Sequence, residues 1–479
     1  MTAERVPVLI VGAGPVGLAT ACALWRLGVP ARIVEAAAEA GLGSRAVQLH
    51  PPTLRLFREL GIMAEAEESG LRIRSTAYHL AGGRVLRVGL GAENEPLMLP
   101  QQQTSALLER ALERLGGKVE RSTTVTSVTL SEGAVTASVV SGDQREEIHA
   151  DWLVAADGVR SPVRAMLGIA FEGSPVLTKF LLAEGRLDGD VERDAVHYFL
   201  GRSGSVVFAS MPGDRIRVSA PVADDHPLTP EGVQRLIDER GPGTITVTDL
   251  DMVVGFTSQE CVAATLRAGR CFLVGDAAHT HSPLGGQGLN LGLQDSHNLA
   301  WKLAGVITGK LNPVVLDGYS PERRRAAGQI VRITHRLLAM FTLPPLLARL
   351  RNELWTALDR LGVLRRWFVP LLAGWRVSYP DARPALPGLP GPGRRPPHRF
   401  AEVLDDGFGL VTSGPGRRAA ELARRWPELV THRRVRPGKR WYARRTVLLR
   451  PDGYVAAVGL RAAGRYLGSV APAETGKQK

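Results

Sequence analysis

The hexapeptide Gly-Ala-Gly-Pro-Val-Gly at residues 12–17 stands between an apolar run, Val6 to Val11, and a stretch of helix formers from Leu18 to Leu27 that ends at Gly28. Gly12 permits the sharp turn, Gly14 lets a phosphate approach the backbone, and Gly17 allows close packing of helix on strand. Ala13 and Val16 complete the loop, and the exposed amides at the helix start favour a pyrophosphate. A second strand begins at Arg32 and ends at Glu35, 23 residues after Gly12. A carboxylate there can accept hydrogen bonds from an adenosine ribose. A glycine turn alone is weak evidence. Strand, helix and terminal acid in this order read as a dinucleotide-binding unit and an α/β fold.

A nicotinamide enzyme could present the same unit, so a second constellation decides between dinucleotides. Cys271 to Val274 is an apolar strand, followed by Gly275, Asp276, Pro283 and then Gly-Gly-Gln-Gly-Leu-Asn at residues 285–290. An isoalloxazine ring needs a flat backbone wall and hydrogen bonds to its pyrimidine edge. A glycine-rich loop entering a helix supplies both, and the helix start favours negative charge on the reduced ring. Gly286, Gly288, Leu289 and Asn290 are therefore candidate flavin contacts, with Asp276 as an acceptor for ribityl or sugar hydroxyls. Asp276 could equally cap its own turn. The cofactor expected is non-covalent FAD.

Further along, Gln101 to Leu115 has helical spacing. Thr123 to Leu130, Ala134 to Val140 and Asp151 to Ala155 read as strands. Between Ala170 and Phe256 short strands alternate with Gly, Pro and Asp turns, and Ile73 to Val88 alternates likewise. The expected division is an FAD-binding domain with a helical extension (1–72, 100–169 and 266–380) and a sheet-containing substrate domain (73–99 and 170–265). A Pro/Gly-rich linker (381–397) then leads to a small α/β domain (398–479). The substrate cavity is expected between the two sheet-domain segments and the flavin loop.

Sixty Lys+Arg against 47 Asp+Glu give +13, which invites a nucleic-acid reading. The basic residues are scattered, aromatics are only 5%, and no recognition motif appears. Solvated surface and attraction for anionic cofactors explain the charge more economically. No uninterrupted apolar run has membrane-spanning length, and the start of the chain has no secretory cleavage pattern. Cys22, Cys261 and Cys271 are widely separated, which suits small buried residues in a reduced, cytoplasmic compartment.

These elements together resemble the flavoprotein aromatic-ring monooxygenases typified by para-hydroxybenzoate hydroxylase, and within them the bacterial hydroxylases of aromatic polyketides and phenols. The resemblance covers about residues 6–380. It rests on the first glycine motif, on AADGVRSPVR at 155–164 and, most specifically, on GDAAHTHSPLGGQGLNLGLQDSHNLAWKLAG at 275–305. It implies that Asp157 serves both FAD and the nicotinamide route, with Arg160 beside it. It also implies that Arg45 lies near the flavin and the approaching nicotinamide, that Gln101 faces the ribityl chain, and that Val125 offers backbone toward adenine. Arg45 and Pro283 are candidate residues of the flavin environment; no catalytic residue is assigned. Ser105 stands where relatives commonly carry glutamate, which weakens the local match. LLRPDGYVA at 448–456 resembles the thioredoxin-like C-terminal domain of that subgroup, here without a cysteine pair and so without thiol redox chemistry.

The chemistry implied uses NADPH or NADH as a transient hydride donor. Reduced FAD then forms a C4a-hydroperoxide with dioxygen that hydroxylates an electron-rich, polycyclic polyketide-type ring. Baeyer–Villiger insertion and a non-catalytic FAD-dependent stabilising or binding protein are the alternatives. A disulfide reductase would need a cysteine pair that is absent. His279 and His281 flank the flavin turn; His279 reads as a structural hydrogen-bonding residue, and the pair lacks a metal-ligand set. Trp301, Trp355, Trp367 and Trp375 read as core or interface residues. Partners expected are an aromatic small molecule and dioxygen, with no nucleic acid or membrane, in a monomer or homodimer.

Overall fold

The computed structural model describes residues 5–41, 46–80, 83–201, 204–341, 343–382, 391–396, 406–414, 416–435 and 446–472. Val6–Val11 is the hub of the first sheet. It pairs in parallel with Ala31–Val34 on one side and with Gln144–Ala155 on the other, and Cys271–Leu273 extends that side in parallel. These strands read as near-continuous apolar runs because both faces of a parallel sheet are covered; Val8, Leu9, Ile10, Val154 and Phe272 have no solvent exposure. Thr123–Leu130 and Val135–Ser141 form an antiparallel arm on Gln144–Ala155.

Helix Pro15–Arg26 follows the first strand, with Pro15 at its start, where the missing N–H costs nothing. It lies against the long helix Gly288–Ile307, and Thr20 Oγ1 donates to Ser296 Oγ between them at 2.8 Å. Gly28 closes the first helix with φ of 81°, a value that favours glycine.

The second sheet has eight strands. In spatial order they are His279–Thr280, Thr246–Ala263, Phe171–Asp188, Arg215–Val222, Gly204–Met211, Ala195–Gly201, Ser75–Leu80 and Arg84–Gly89. All neighbours are antiparallel except Ala195–Gly201 on Ser75–Leu80. The alternating segments expected from sequence are present. The two 18-residue strands, Phe171–Asp188 and Thr246–Ala263, and helix Pro230–Arg240 were not anticipated, since the sequence suggested only short strands in this region. Through Cys261 and Val262, paired with Thr280 and His279, this sheet grips the segment that leads into the flavin loop.

Helices Tyr319–Phe341 and Pro345–Arg360 follow Gly288–Ile307. No single helix among the described residues is long and apolar enough to cross a membrane. A four-stranded sheet ends the chain, ordered Val430–Arg434, Phe408–Thr412, Val447–Leu449, Val455–Val458, with helices Arg417–Ala423 and Leu460–Val470. Its core is continuous with that of the first sheet: Trp301 meets Phe408 edge-on at 5.5 Å. Part of the expected linker, residues 383–390 and 397, lies outside the described residues.

Candidate functional site

Gly12 has φ of 101°, and a Cβ there would meet the Ala156 carbonyl oxygen at 2.4 Å. A Cβ on Gly17 would stand 1.9 Å from the Gly12 carbonyl oxygen. Both glycines are thus required by the protein itself. Gly14 differs: a Cβ there would meet nothing within 4 Å, and its φ of −67° with ψ of 174° suits any residue. The open space lies over the start of helix Pro15–Arg26, which has no side-chain cap and no acid in its first turn. Uncapped amides beside open space fit a pyrophosphate.

Glu35 sits at the end of its strand with both oxygens engaged, accepting from Ala13 N at 2.7 Å and from Ala37 N at 2.9 Å. Its carboxylate therefore shapes the glycine loop while keeping lone pairs for a ribose. The Glu35 carbonyl accepts from Thr123 N, which brings Val125, buried in the antiparallel arm, to the same end of the sheet.

The second glycine loop converges on the first. A Cβ on Gly292 would meet Val16 Cγ2 at 2.7 Å and Gly275 Cα at 3.0 Å, so Val16, Gly275 and Gly292 interlock. The start of helix Gly288–Ile307 also lacks a side-chain cap and a first-turn acid. Two uncapped helix starts thus lie side by side, an arrangement suited to a ligand with phosphates at one end and an electron-accepting ring at the other. Residues present fit FAD.

Asp295, fully buried, supports the second loop. It accepts from Gly275 N at 3.0 Å, His279 Nε2 at 2.7 Å and Arg323 Nε at 2.6 Å. Burial alone would raise its pKa, but His279 and Arg323 hold it below the ordinary value. His279 is accordingly spent on Asp295. Asp276 is exposed in the turn Gly275–Ala277. Asn290 donates through Nδ2 to the carbonyls of Gln48 and Gly286, both at 2.7 Å, and accepts from His50 N at 2.6 Å. Its side chain staples strand Gln48–Leu49 to the loop, so only its backbone remains for a ligand.

Asp157 accepts from Ser161 Oγ at 2.5 Å and Val163 N at 2.9 Å, and burial raises its pKa. Its carboxylate is engaged in closing its own turn, while Arg160 is exposed beside it. Gln101 exchanges bonds with Ala46, its Oε1 accepting at 3.3 Å and its N donating at 3.0 Å, and thereby anchors the segment after Arg45. Arg45 itself lies outside the described residues. Among the described residues, no group of three or more His, Cys, Asp or Glu gathers as a metal-ligand set.

Beside Gly285 an open pocket is lined by Gln48, His50, Thr76, Asn94 and Tyr198. Ile73, Leu90, Val196 and Val369 form its apolar wall. It adjoins both sheet-domain segments and the flavin loop, and the short helix Val369–Leu372 closes a side that the sequence did not suggest. His50 and Gln287 were missed as site residues. His50 Nε2 lies 3.0 Å from the Gly285 carbonyl, and Gln287 Nε2 donates to the Leu372 carbonyl at 2.7 Å. Their only sequence signal is position, one just before Pro51 and the other inside the glycine loop.

A family model described as FAD binding domain matches residues 5–334. The chain belongs to this FAD-binding family. The 6-methylpretetramide 4-monooxygenase of Streptomyces rimosus is 35% identical over 353 residues, 71% of this chain and 63% of that protein. The match thus spans less than two thirds of that relative. A 12-dehydrotetracycline 5-monooxygenase/anhydrotetracycline 6-monooxygenase of Streptomyces rimosus subsp. rimosus is 31% identical over 492 aligned positions, covering 94% of this chain and 95% of the relative. Among solved structures, an anhydrotetracycline hydroxylase from Streptomyces rimosus superposes with a TM-score of 0.79 at 27% identity, covering 98% of this chain and all of that one. The two sequence relatives are monooxygenases by name and the solved structure is a hydroxylase by name; aromatic-ring hydroxylases are what the sequence motifs resemble.

Proposed function

We propose that this protein is an FAD-dependent monooxygenase that uses NADPH or NADH and dioxygen to hydroxylate an aromatic, polycyclic polyketide-type substrate. The observation that carries the reading is the interlock of Val16, Gly275 and Gly292, which sets two uncapped helix starts side by side next to an apolar pocket. Tetracycline-type relatives over nearly the full length support the substrate class.

In this reading Gly12, Ala13, Gly14, Val16 and Gly17 shape the pyrophosphate cradle, and Glu35 and Val125 receive the adenosine end. Gln101, Asp157 and Asp276 serve the ribityl and sugar hydroxyls or the turns beside them. Pro283, Gly286, Gly288, Leu289 and Asn290 give backbone to the ring. FAD held there would accept hydride from the nicotinamide and, once reduced, activate dioxygen for transfer of one oxygen atom. The residues' share is to bind, orient and keep water out. Asp295 and Arg323 fix the loop, the apolar wall excludes water, and Arg45 receives the phosphates of a nicotinamide that docks transiently. The three-part division with a thioredoxin-like C-terminal module belongs to the same reading, supported by the parallel pairing of Phe408–Thr412 with Val430–Arg434.

The test is turnover of FAD-loaded enzyme with NADPH, isotopically labelled dioxygen and a series of polycyclic phenols. Substrate-stimulated NADPH oxidation with one labelled oxygen in the product is expected. Bound FAD without substrate-stimulated oxidation would replace this reading with a non-catalytic one.

A further inference from the structure

Six of the thirteen large apolar side chains exposed among the described residues fall between residues 346 and 367. Leu346, Leu347, Leu350, Leu354 and Leu361 are between 52% and 81% exposed, and Trp367 is half exposed. The first four stand on helix Pro345–Arg360 at spacings of three and four that bring them to one side, and Leu361 follows its last turn. Apolar side chains scattered singly are ordinary on a protein surface, whereas a stripe of them marks a contact. The stripe does not hold the helix in place. Its opposite side carries Arg351, Asn352 and Trp355, all buried, and Trp355 meets Tyr78 edge-on at 5.2 Å.

The surroundings of the stripe are basic. Residues 332–376 contain eight arginines and no lysine against two acids, Glu353 and Asp359. Glu353 is already paired with Arg84 at 2.8 Å. Arg349, Arg360, Arg365 and Arg366 are exposed, and the Arg376 guanidinium lies 4.4 Å from the Trp367 ring. This rim decides among occupants. A second copy of the chain in a two-fold contact would set the patch, arginines included, against itself. A neutral apolar partner would leave the guanidinium groups without counter-charge. Leucines and a tryptophan bordered by arginines match the boundary of an anionic bilayer, where acyl chains receive the apolar side chains and headgroup phosphates receive the cations. The helix has 16 residues, short of the roughly 20 that a span requires, and its inner side is packed on protein. It can lie in the membrane plane but not cross it.

We infer that the leucine face of helix Pro345–Arg360, with Leu361 and Trp367, docks on an anionic lipid surface, its leucines entering the acyl boundary while Arg349, Arg360, Arg365 and Arg366 meet headgroup phosphates. The sequence expectation of no membrane partner followed from run length, and leucines spaced along a helix leave no uninterrupted run to find. Docking requires no particular substrate. Val369 and Leu372, which line the pocket beside Gly285, follow Trp367 within five residues, so docking brings the segment that walls the pocket up to the lipid.

The test is co-sedimentation of full-length, FAD-loaded protein with vesicles of phosphatidylcholine alone and of phosphatidylcholine mixed equally with phosphatidylglycerol. Binding to the mixed vesicles is expected to exceed binding to the neutral ones by about tenfold or more and to weaken as salt rises. Leu346→Gln, Leu350→Gln and Leu354→Gln combined should lower affinity for the mixed vesicles by about tenfold or more with FAD content unchanged, since all three side chains are exposed. Arg349→Gln, Arg365→Gln and Arg366→Gln combined should remove most of the preference for anionic lipid. If the combined leucine variant fails to hold FAD, Leu350→Glu alone carries the test. Wild-type protein that stays in the supernatant with mixed vesicles overturns the inference. Equal binding by the leucine variants overturns it too, because the contact would then be one of charge alone. A dimer seen by light scattering, converted to monomer by the leucine changes and without vesicle binding, assigns the face to a second copy instead.

Discussion

His50 and His281 are imidazoles kept neutral by burial, each pushed down to about 4 from an ordinary value near 6.5. Between those values the unfolded chain takes up protons that the folded chain refuses. Their contribution is therefore fully present above about pH 6.5 and is lost as pH falls toward 4, with about 3 kcal/mol at stake for each full shift. Urea midpoints measured from pH 7.5 to 4.5 should fall steadily, and His50→Gln with His281→Gln should flatten most of that slope; an unchanged slope would show that other groups carry it. His79 is also lowered to about 4; it is half-buried, as is His281, so each of these two carries a smaller share than His50. Arg45→Ala belongs to this scale as well. It should retain FAD yet slow anaerobic flavin reduction and raise the nicotinamide concentration required, because a bidentate phosphate contact is lost. Stopped-flow reduction across an NADPH series decides it, and an unchanged rate after correction for bound FAD removes Arg45 from the hydride route.

The glycines of the first turn separate a need of the fold from a need of the ligand. Gly17→Ala puts a methyl group 1.9 Å from a carbonyl oxygen and should destabilise the strand–turn–helix by several kcal/mol, about 2–4. Gly14→Ala meets only open space and should leave the melting temperature of FAD-free protein unchanged while weakening FAD retention at least tenfold. Thermal melts of apoprotein and equilibrium dialysis of FAD would separate the two; equal FAD affinity in Gly14→Ala would mean that no phosphate lies there. Thr123–Leu130 was legible to the residue because alternation and bounding turns coincide. Phe171–Asp188 was not, because a glycine inside a segment, as at Gly173 and Gly185, weakens the strand signal of the sequence. Each instead lets a neighbouring carbonyl, of Glu260 or Asp249, come within 2.0 Å of where a Cβ would stand.

Across the whole molecule, the C-terminal sheet is fastened to the helix that starts at the flavin loop by a buried polar network. Arg450 donates to Glu322 at 2.6 Å and to Asp452 at 2.6 Å; Lys302 donates to Glu322, and Asn298 to Asp452 and Tyr379. The LLRPDGYVA segment therefore owes its composition to docking, since its Asp452 meets Asn298 of that helix and its Arg450 meets Glu322 of the next helix, Tyr319–Phe341. Trp301 and Trp355 are core residues as read, whereas Trp367 is half exposed beneath the Arg376 guanidinium, 4.4 Å from its ring. Arg450→Ala leaves Glu322 buried beside only Lys302 and Asn298 and should cost about 3–5 kcal/mol. Differential scanning calorimetry with limited proteolysis should show earlier unfolding and release of the C-terminal sheet; an unchanged melt would make the network dispensable.

Local chemistry made the dinucleotide unit readable from sequence alone. A glycine turn, a helix start and a terminal acid act over a few residues, and the flavin loop is one contiguous segment. The family and the α/β class followed from those segments. What the sequence could not assign was the meeting of segments far apart in the chain. The lock of Val16 against Gly275 and Gly292 and the staple of Asn290 on the Gln48–His50 segment each depend on which atom lies opposite in space. Burial and hydrogen-bond partnership are properties of the packed chain, and only tertiary structure turned a histidine before a proline into a wall of the pocket.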